Sequence, residues 1–110
     1  LTGNMVFEGG AALLAEVLPQ TQISHLKLRN NFIRDAGVLQ LSAHFPSSGL
    51  AEVDLSQNFI GLEGTSSLTA SLARSQITSI DLSENTIGIE GAAELSQALA
   101  DSQLVTLLLS

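Results

Sequence analysis

Three stretches of the chain alternate polar and apolar residues. Residues 24–30, 52–56 and 79–83 each place charged or hydroxyl side chains at every second position, with Leu, Val or Ile between them. A period of two is typical of a strand that has one face against a core and the other in solvent. The pattern therefore predicts three short strands, each half buried.

A different spacing follows each strand. Four segments carry apolar residues at intervals of three or four, which is the stripe of an amphipathic helix. They begin near a glycine and end near a cluster of Ser, Pro, Gln or Asp. The predicted helices are Gly10–Leu18, Gly37–Phe45, Gly64–Arg74 and Gly91–Ala100.

Strand and helix recur together at a fixed interval. Asn4, Asn31, Asn58 and Asn85 are each 27 residues apart, and self-similarity at one such period indicates a solenoid. Parallel strands stack about 4.8 Å apart, whereas helices side by side need about 8 to 10 Å. We therefore expect residues 1–110 to form one α/β solenoid segment of about four units, with a concave parallel sheet and convex helices.

The repeated asparagines lie where the chain leaves each strand. A buried Asn at such a corner can hydrogen-bond backbone groups that have no strand partner. We expect Asn4, Asn31, Asn58 and Asn85 to be structural and to bond backbone groups of their own and the next unit.

Composition narrows the classes of partner. A formal net charge of −7 disfavours nucleic acid and anionic membrane surfaces. The chain has no cysteine, which excludes disulfides, a thiolate zinc site and a cysteine nucleophile and suits a reducing compartment. Since there is also no apolar run long enough to span a bilayer, the sequence predicts an acidic soluble protein that needs no cofactor or metal.

The strand motif resembles a known family. The spelling Leu50-x-x-Val53-x-Leu55-x-x-Asn58-x-Ile60 is similar to the leucine-rich repeat. The unit length and the following helix resemble the ribonuclease-inhibitor type, also seen in the Ran GTPase-activating protein, NOD-like receptors and pathogen effectors. The resemblance implies a right-handed solenoid that serves as a protein-interaction scaffold, located in the cytoplasm, or in host cytoplasm for a secreted effector.

Side chains that differ between units are the candidate partner site, because the period does not account for them. We call this set the charged strip. It combines a basic first strand with an acidic stretch on the next two. Its members are His25, Lys27, Arg29, Asn30, Glu52, Asp54, Ser56, Gln57, Ser79, Asp81, Ser83 and Glu84.

Other chemistry on this face is less favoured. His25, Glu52 and Ser79 fall in one row, but a catalytic triad needs its histidine between the acid and the nucleophile. Asp54 and Asp81, with Glu52 and Glu84 near, could hold a hard divalent cation, but a solvated acidic face is the favoured interpretation. We expect no enzyme activity. The alternatives to an interaction scaffold are a GTPase-regulating module and a structural spacer of a receptor or effector.

A second variable row stands just after the asparagines, at Met5, Phe32, Phe59 and Thr86. The favoured interpretation is that Phe32 and Phe59 stack inward and cap the core. The alternative is that they form an apolar ledge open to a partner.

The C-terminal residues 104–110 are apolar and strand-forming. An uncapped terminal repeat exposes a sheet edge, so we expect a fragment of a longer protein that self-associates through this edge. A concentration-independent monomer in sedimentation would contradict this expectation.

Overall fold

A computed structural model describes residues 5–18, 23–101 and 106–109. Helices and strands alternate through the chain, as the sequence pattern predicts. The elements are α1 (Phe7–Val17), β1 (His25–Lys27), α2 (Arg34–Ala43), β2 (Glu52–Asp54), α3 (Leu62–Leu72), β3 (Ser79–Asp81), α4 (Gly88–Asp101) and β4 (Thr106–Leu108), with a 3-10 turn at Phe45–Ser47 after α2.

The four strands form one parallel sheet in the order of the chain. Their register places His25 beside Glu52, Glu52 beside Ser79 and Ser79 beside Thr106. Each strand residue pairs with the residue 27 positions away in the next strand, so each repeat adds one strand to the sheet. This confirms the parallel sheet predicted from the period.

The strands are shorter than predicted, at three residues each. Backbone bonding continues beyond them: the Leu28 amide donates to the Asp54 carbonyl at 2.8 Å, and the Leu55 amide donates to the Asp81 carbonyl at 2.9 Å. Regular strand geometry ends because Asn30 adopts a left-handed backbone, with φ of 57°. The ladder therefore passes from strand into turn without losing its hydrogen bonds.

The helices begin two or three residues before the glycines that were predicted to open them. Gly64 is the third residue of α3. A Cβ built on Gly64 would lie 2.5 Å from Asp35 Oδ1 and 2.9 Å from Ile60 Cγ2. Both distances are far below van der Waals contact, so glycine allows the first helical turn to pack tightly against the preceding unit.

The core lies between the sheet and the helices and is aliphatic. The buried strand residues Leu26, Val53 and Ile80 face helix residues such as Leu41 and Leu68, and Phe45 is the one aromatic side chain among the buried residues of the described ranges. In those ranges, no helix has the length and apolar character that crossing a bilayer requires.

At the last strand the apolar surface is open. Leu108 and Leu109 are 48% and 41% exposed, in contrast to the buried Leu82 one unit earlier. Residues 104, 105 and 110 of the predicted sheet edge lie outside the described residues. Self-association through this edge stays a prediction.

Candidate functional site

The turn after each strand is organised by the repeated asparagine. Asn58 is fully buried, and its Oδ1 accepts hydrogen bonds from the amides of Asn31 at 2.8 Å and Ile33 at 3.2 Å. Its Nδ2 donates to the carbonyls of Leu28 at 2.7 Å and Ser56 at 3.0 Å. The side chain thus ties its own turn to that of the unit before it.

Asn85 repeats this arrangement one unit later. Its Oδ1 accepts from the amides of Asn58 at 2.8 Å and Ile60 at 3.0 Å, and Nδ2 donates to Leu55 O at 2.9 Å. The expectation that these side chains bond the following unit is wrong in direction, because the carboxamide reaches backwards along the solenoid. Asn4 lies outside the described residues.

The residues on both sides of each asparagine face outward. Asn30 and Gln57 precede it and Phe32 and Phe59 follow it, all four with φ between 55° and 59°. A left-handed backbone on either side of an inward-facing residue turns the flanking side chains toward solvent. One turn therefore holds a constant amide inside and presents variable groups outside.

The first row of the sheet face brings a histidine and a carboxylate together. His25 Nε2 lies 3.3 Å from Glu52 Oε2, and both side chains are more than half exposed. Ser24 Oγ is 2.7 Å from the other ring nitrogen. Because the observed register keeps Glu52 between His25 and Ser79, this row has the order that a catalytic triad does not use.

A longer contact crosses two units at the end of the strands. Arg29 Nη2 donates to Glu84 Oε1 at 3.4 Å, and the Gln57 side-chain amide donates to the other oxygen of the same carboxylate. Three consecutive units therefore meet at Glu84. The basic and acidic ends of the charged strip are joined there rather than separated.

The Asp54 carboxylate accepts hydrogen bonds within its own turn. Its Oδ1 accepts from the Ser56 amide at 3.0 Å and from Ser56 Oγ at 2.6 Å. Asp81 Oδ1 likewise accepts from the Ser83 amide at 2.9 Å. A carboxylate that bonds an amide two residues on stabilises the turn, so these aspartates have a local structural function whatever else they contact.

The structure corrects the expectation for Ser56. Its side chain is fully buried: the hydroxyl donates to Asp54 Oδ1 and accepts from Arg29 Nη1 at 3.4 Å, so it lies against both of these side chains. Ser56 is therefore unavailable to a partner. The other members of the charged strip are at least partly exposed: His25, Lys27, Arg29, Asn30, Glu52, Asp54, Gln57, Ser79, Asp81, Ser83 and Glu84.

Metal-ligand geometry is absent from the described part of the chain, where no group of three or more His, Cys, Asp or Glu residues is placed to hold an ion. Asp54 and Asp81 are neighbours across the sheet, but each serves its own turn. The acidic stretch is a solvated face in this structure.

Aromatic rings line the outer side of the turns. Phe7 stacks on Phe32 with ring centroids 5.5 Å apart, and Phe32 stacks on Phe59 at 5.6 Å. Phe7 and Phe59 are 48% and 55% exposed. The expectation that Phe32 and Phe59 cap the core is wrong, since the rings pack on one another along the surface. We call Phe7, Phe32 and Phe59 the aromatic ledge.

Two members of this edge were not identified from the sequence. Phe7 is two residues beyond the row of Met5, Phe32 and Phe59, so the period did not place it in the stack. Asp35 Oδ1 accepts from the amides of Gly61 at 2.7 Å and Gly64 at 3.1 Å. Asp35 thus caps the first turn of the helix in the next unit, a contact that the repeat pattern does not contain.

Comparison with known proteins supports the repeat interpretation. A leucine-rich repeat family model matches residues 76–96, which span β3 and the first turns of α4. None of the curated protein sequences matches the chain. Actin-binding site 2 of leiomodin-1 has a similar structure, with a TM-score of 0.89 and 14% sequence identity over 99% of this chain and 67% of that one.

Fold and repeat together define the class. The parallel sheet and the strand-turn-helix unit give the chain the fold of a leucine-rich repeat solenoid, and residues 76–96 match the model of that family. The ribonuclease-inhibitor type within that class stays a prediction from the unit length. Such repeats serve many functions, so function must be argued from the exposed side chains.

Proposed function

We propose that this chain is a protein-binding module whose sheet face recognises its partner through the charged strip. The supporting observation is the change of charge along one face, from Lys27 and Arg29 in the repeat unit of β1 to Asp54, Asp81 and Glu84 in the units of β2 and β3. Complementary charge arranged in this way selects a partner and increases its association rate more than it adds affinity.

The geometry favours a partner that meets the basic and acidic ends at once. Arg29 and Glu84 are joined by a contact between half-exposed side chains, which is worth little in water and can open to a partner. His25 and Glu52 form a second such pair. An interface that replaces these weak internal contacts would engage four polar side chains along the strip.

Actin is the first purified partner to test, because the structurally similar chain is named as an actin-binding site. Identity of 14% shows the fold alone, so binding must be measured. Sedimentation of this chain with actin filaments gives a direct result. If actin is not bound, actin is excluded as the partner, and cross-linking in extract identifies other candidates.

The decisive experiment is charge reversal with a matched control. The Lys27→Glu, Arg29→Glu double variant should reduce capture of the identified partner about tenfold or more, since two interface charges become repulsive. The Arg74→Glu variant reverses a charge away from both the charged strip and the aromatic ledge, and should retain capture. Equal capture by both variants would exclude the charged strip as the binding site.

The same preparations distinguish the GTPase-regulating alternative. A protein of that kind accelerates nucleotide hydrolysis by its partner, whereas a scaffold binds without changing the rate. Nucleotide hydrolysis by small GTPases is measured with and without the chain. A rate increase that the Lys27→Glu, Arg29→Glu variant abolishes would favour the alternative.

A further inference from the structure

The aromatic ledge is a second surface, separate from the charged strip. Three of the four phenylalanines of the chain lie on it, and only Phe45 is fully buried. Stacked rings that stay half exposed forgo much of the stabilisation that burial gives an aromatic side chain. Met5, two residues before Phe7, is also apolar and is 64% exposed.

A cation lies against this ledge. The Arg34 guanidinium carbon is 5.7 Å from the centre of the Phe59 ring, and the side chain is exposed. Within the described residues its N–H groups take part in no ion pair or side-chain hydrogen bond. The neighbouring Asp35 carboxylate instead accepts from the amides of Gly61 and Gly64. Arg34 therefore presents its donors to solvent.

Two of the stacked rings and Arg34 line one cleft. It has a volume of about 290 Å³ and is lined by Phe7, Gly9, Phe32 and Arg34. A Cβ built on Gly9 would meet nothing within 4 Å, so the cleft is not crowded on that side. Aromatic carbons and an arginine side chain thus border the same small space.

We propose that this cleft binds a short protein segment that carries a carboxylate next to an apolar side chain. The guanidinium fork matches a carboxylate with two parallel hydrogen bonds, and the phenylalanine rings cover the adjoining apolar group. Rings beside an arginine can also stack on nucleic-acid bases. The net charge of −7 repels any anion, but it repels a polyphosphate backbone with many charges more strongly than a segment with one carboxylate, so we favour the peptide.

The probe is a terminally blocked peptide with one glutamate followed by one leucine in a glycine and serine frame. Binding is followed by NMR of the protein with labelled phenylalanine rings. Saturable shifts are expected for Phe7, Phe32 and Phe59, while buried Phe45 serves as the internal reference. Absence of a saturable shift, or an equal shift of Phe45, would overturn the proposal.

Matched variants and probes test the chemistry. Arg34→Gln should weaken peptide binding about tenfold, as should glutamine in place of the peptide glutamate, because a charge-assisted pair is lost. Arg74→Gln removes the same charge elsewhere and should bind normally. Unchanged binding by Arg34→Gln would overturn the proposal, as would tighter binding of an oligodeoxythymidine than of the peptide.

Peptide binding at the aromatic ledge is tested separately from partner binding at the charged strip. The Lys27→Glu, Arg29→Glu variant should bind the peptide like the wild-type chain if the ledge is the site. Loss of peptide binding in that variant, with retention in Arg34→Gln, would place the peptide on the sheet face and contradict the ledge site. An unchanged Phe45 resonance shows in each case that the variant is folded.

Discussion

The inside and the outside of the strand-to-helix turn follow different rules. Inside, Asn31, Asn58 and Asn85 are the same residue and make the same kind of bond to the unit before them. Outside, positions one residue away carry an amide or an acid before the asparagine and a phenylalanine or threonine after it. Among these positions, the same residue recurs only on the side that faces the interior of the turn.

The comparison separates the groups that stabilise the fold from the groups that are free to recognise a partner. A buried carboxamide that loses its partners leaves several backbone groups unsatisfied, and each such group costs about 1 to 3 kcal/mol. An exposed charge that loses its partner is solvated instead. The inner side can therefore vary little, whereas the outer side can change with the partner at little cost to folding.

The largest effect is expected from breaking the inner side. Asn58→Ala removes four hydrogen bonds and leaves the Asn31 and Ile33 amides without their acceptor. We expect a loss of about 3 kcal/mol or more in the free energy of unfolding, measured by urea denaturation. Asn85 is only partly buried, so Asn85→Ala should cost less. An equal or smaller loss for Asn58→Ala would contradict this account.

Asp35 sharpens the comparison, because it differs between units and yet bonds backbone amides inside the structure. Asp35→Ala removes the acceptor for the Gly61 and Gly64 amides at the start of α3, and we expect a loss of about 1 to 2 kcal/mol in unfolding free energy. Glu63→Ala removes a charge from the same helical turn and makes the matched control, with an expected loss below about 0.5 kcal/mol. Equal losses would show that Asp35 acts only through its charge.

The smallest effect is expected on the outer side. In a double-mutant cycle of Arg29→Gln and Glu84→Gln, the coupling free energy should be below about 1 kcal/mol, because the pair is half exposed. It should fall further as salt is added. A coupling of several kcal/mol that salt does not change would mean that the outer contact contributes to folding as the inner ones do.

Contacts that follow the repeat could be predicted from the sequence. The alternation of Glu52 to Ser56 gave the strand, the spacing of the asparagines gave the register, and the apolar positions gave the core. Each of these predictions succeeds because every unit packs against its neighbour in the same way. A residue and its equivalent 27 positions on must then be adjacent.

Contacts that depart from the repeat could not be predicted. Phe7 stacks on Phe32, Asp35 reaches Gly61 and Arg29 reaches Glu84, and none of these separations is a multiple of the repeat. Ser56 shows the same limit in another way, since strand alternation predicts an exposed side chain, whereas contacts with Arg29 and Asp54 leave it buried.

The sequence by itself therefore determined the architecture: a leucine-rich repeat with a parallel sheet, an aliphatic core and an asparagine in every turn. Periodic burial is enough for this, because the apolar positions fix which face of each unit is covered. The tertiary structure decided which exposed groups meet. The aromatic ledge beside Arg34 and the joining of three units at Glu84 depend on left-handed turn residues and side-chain directions. Those directions are set by packing between units, which residue spacing does not encode.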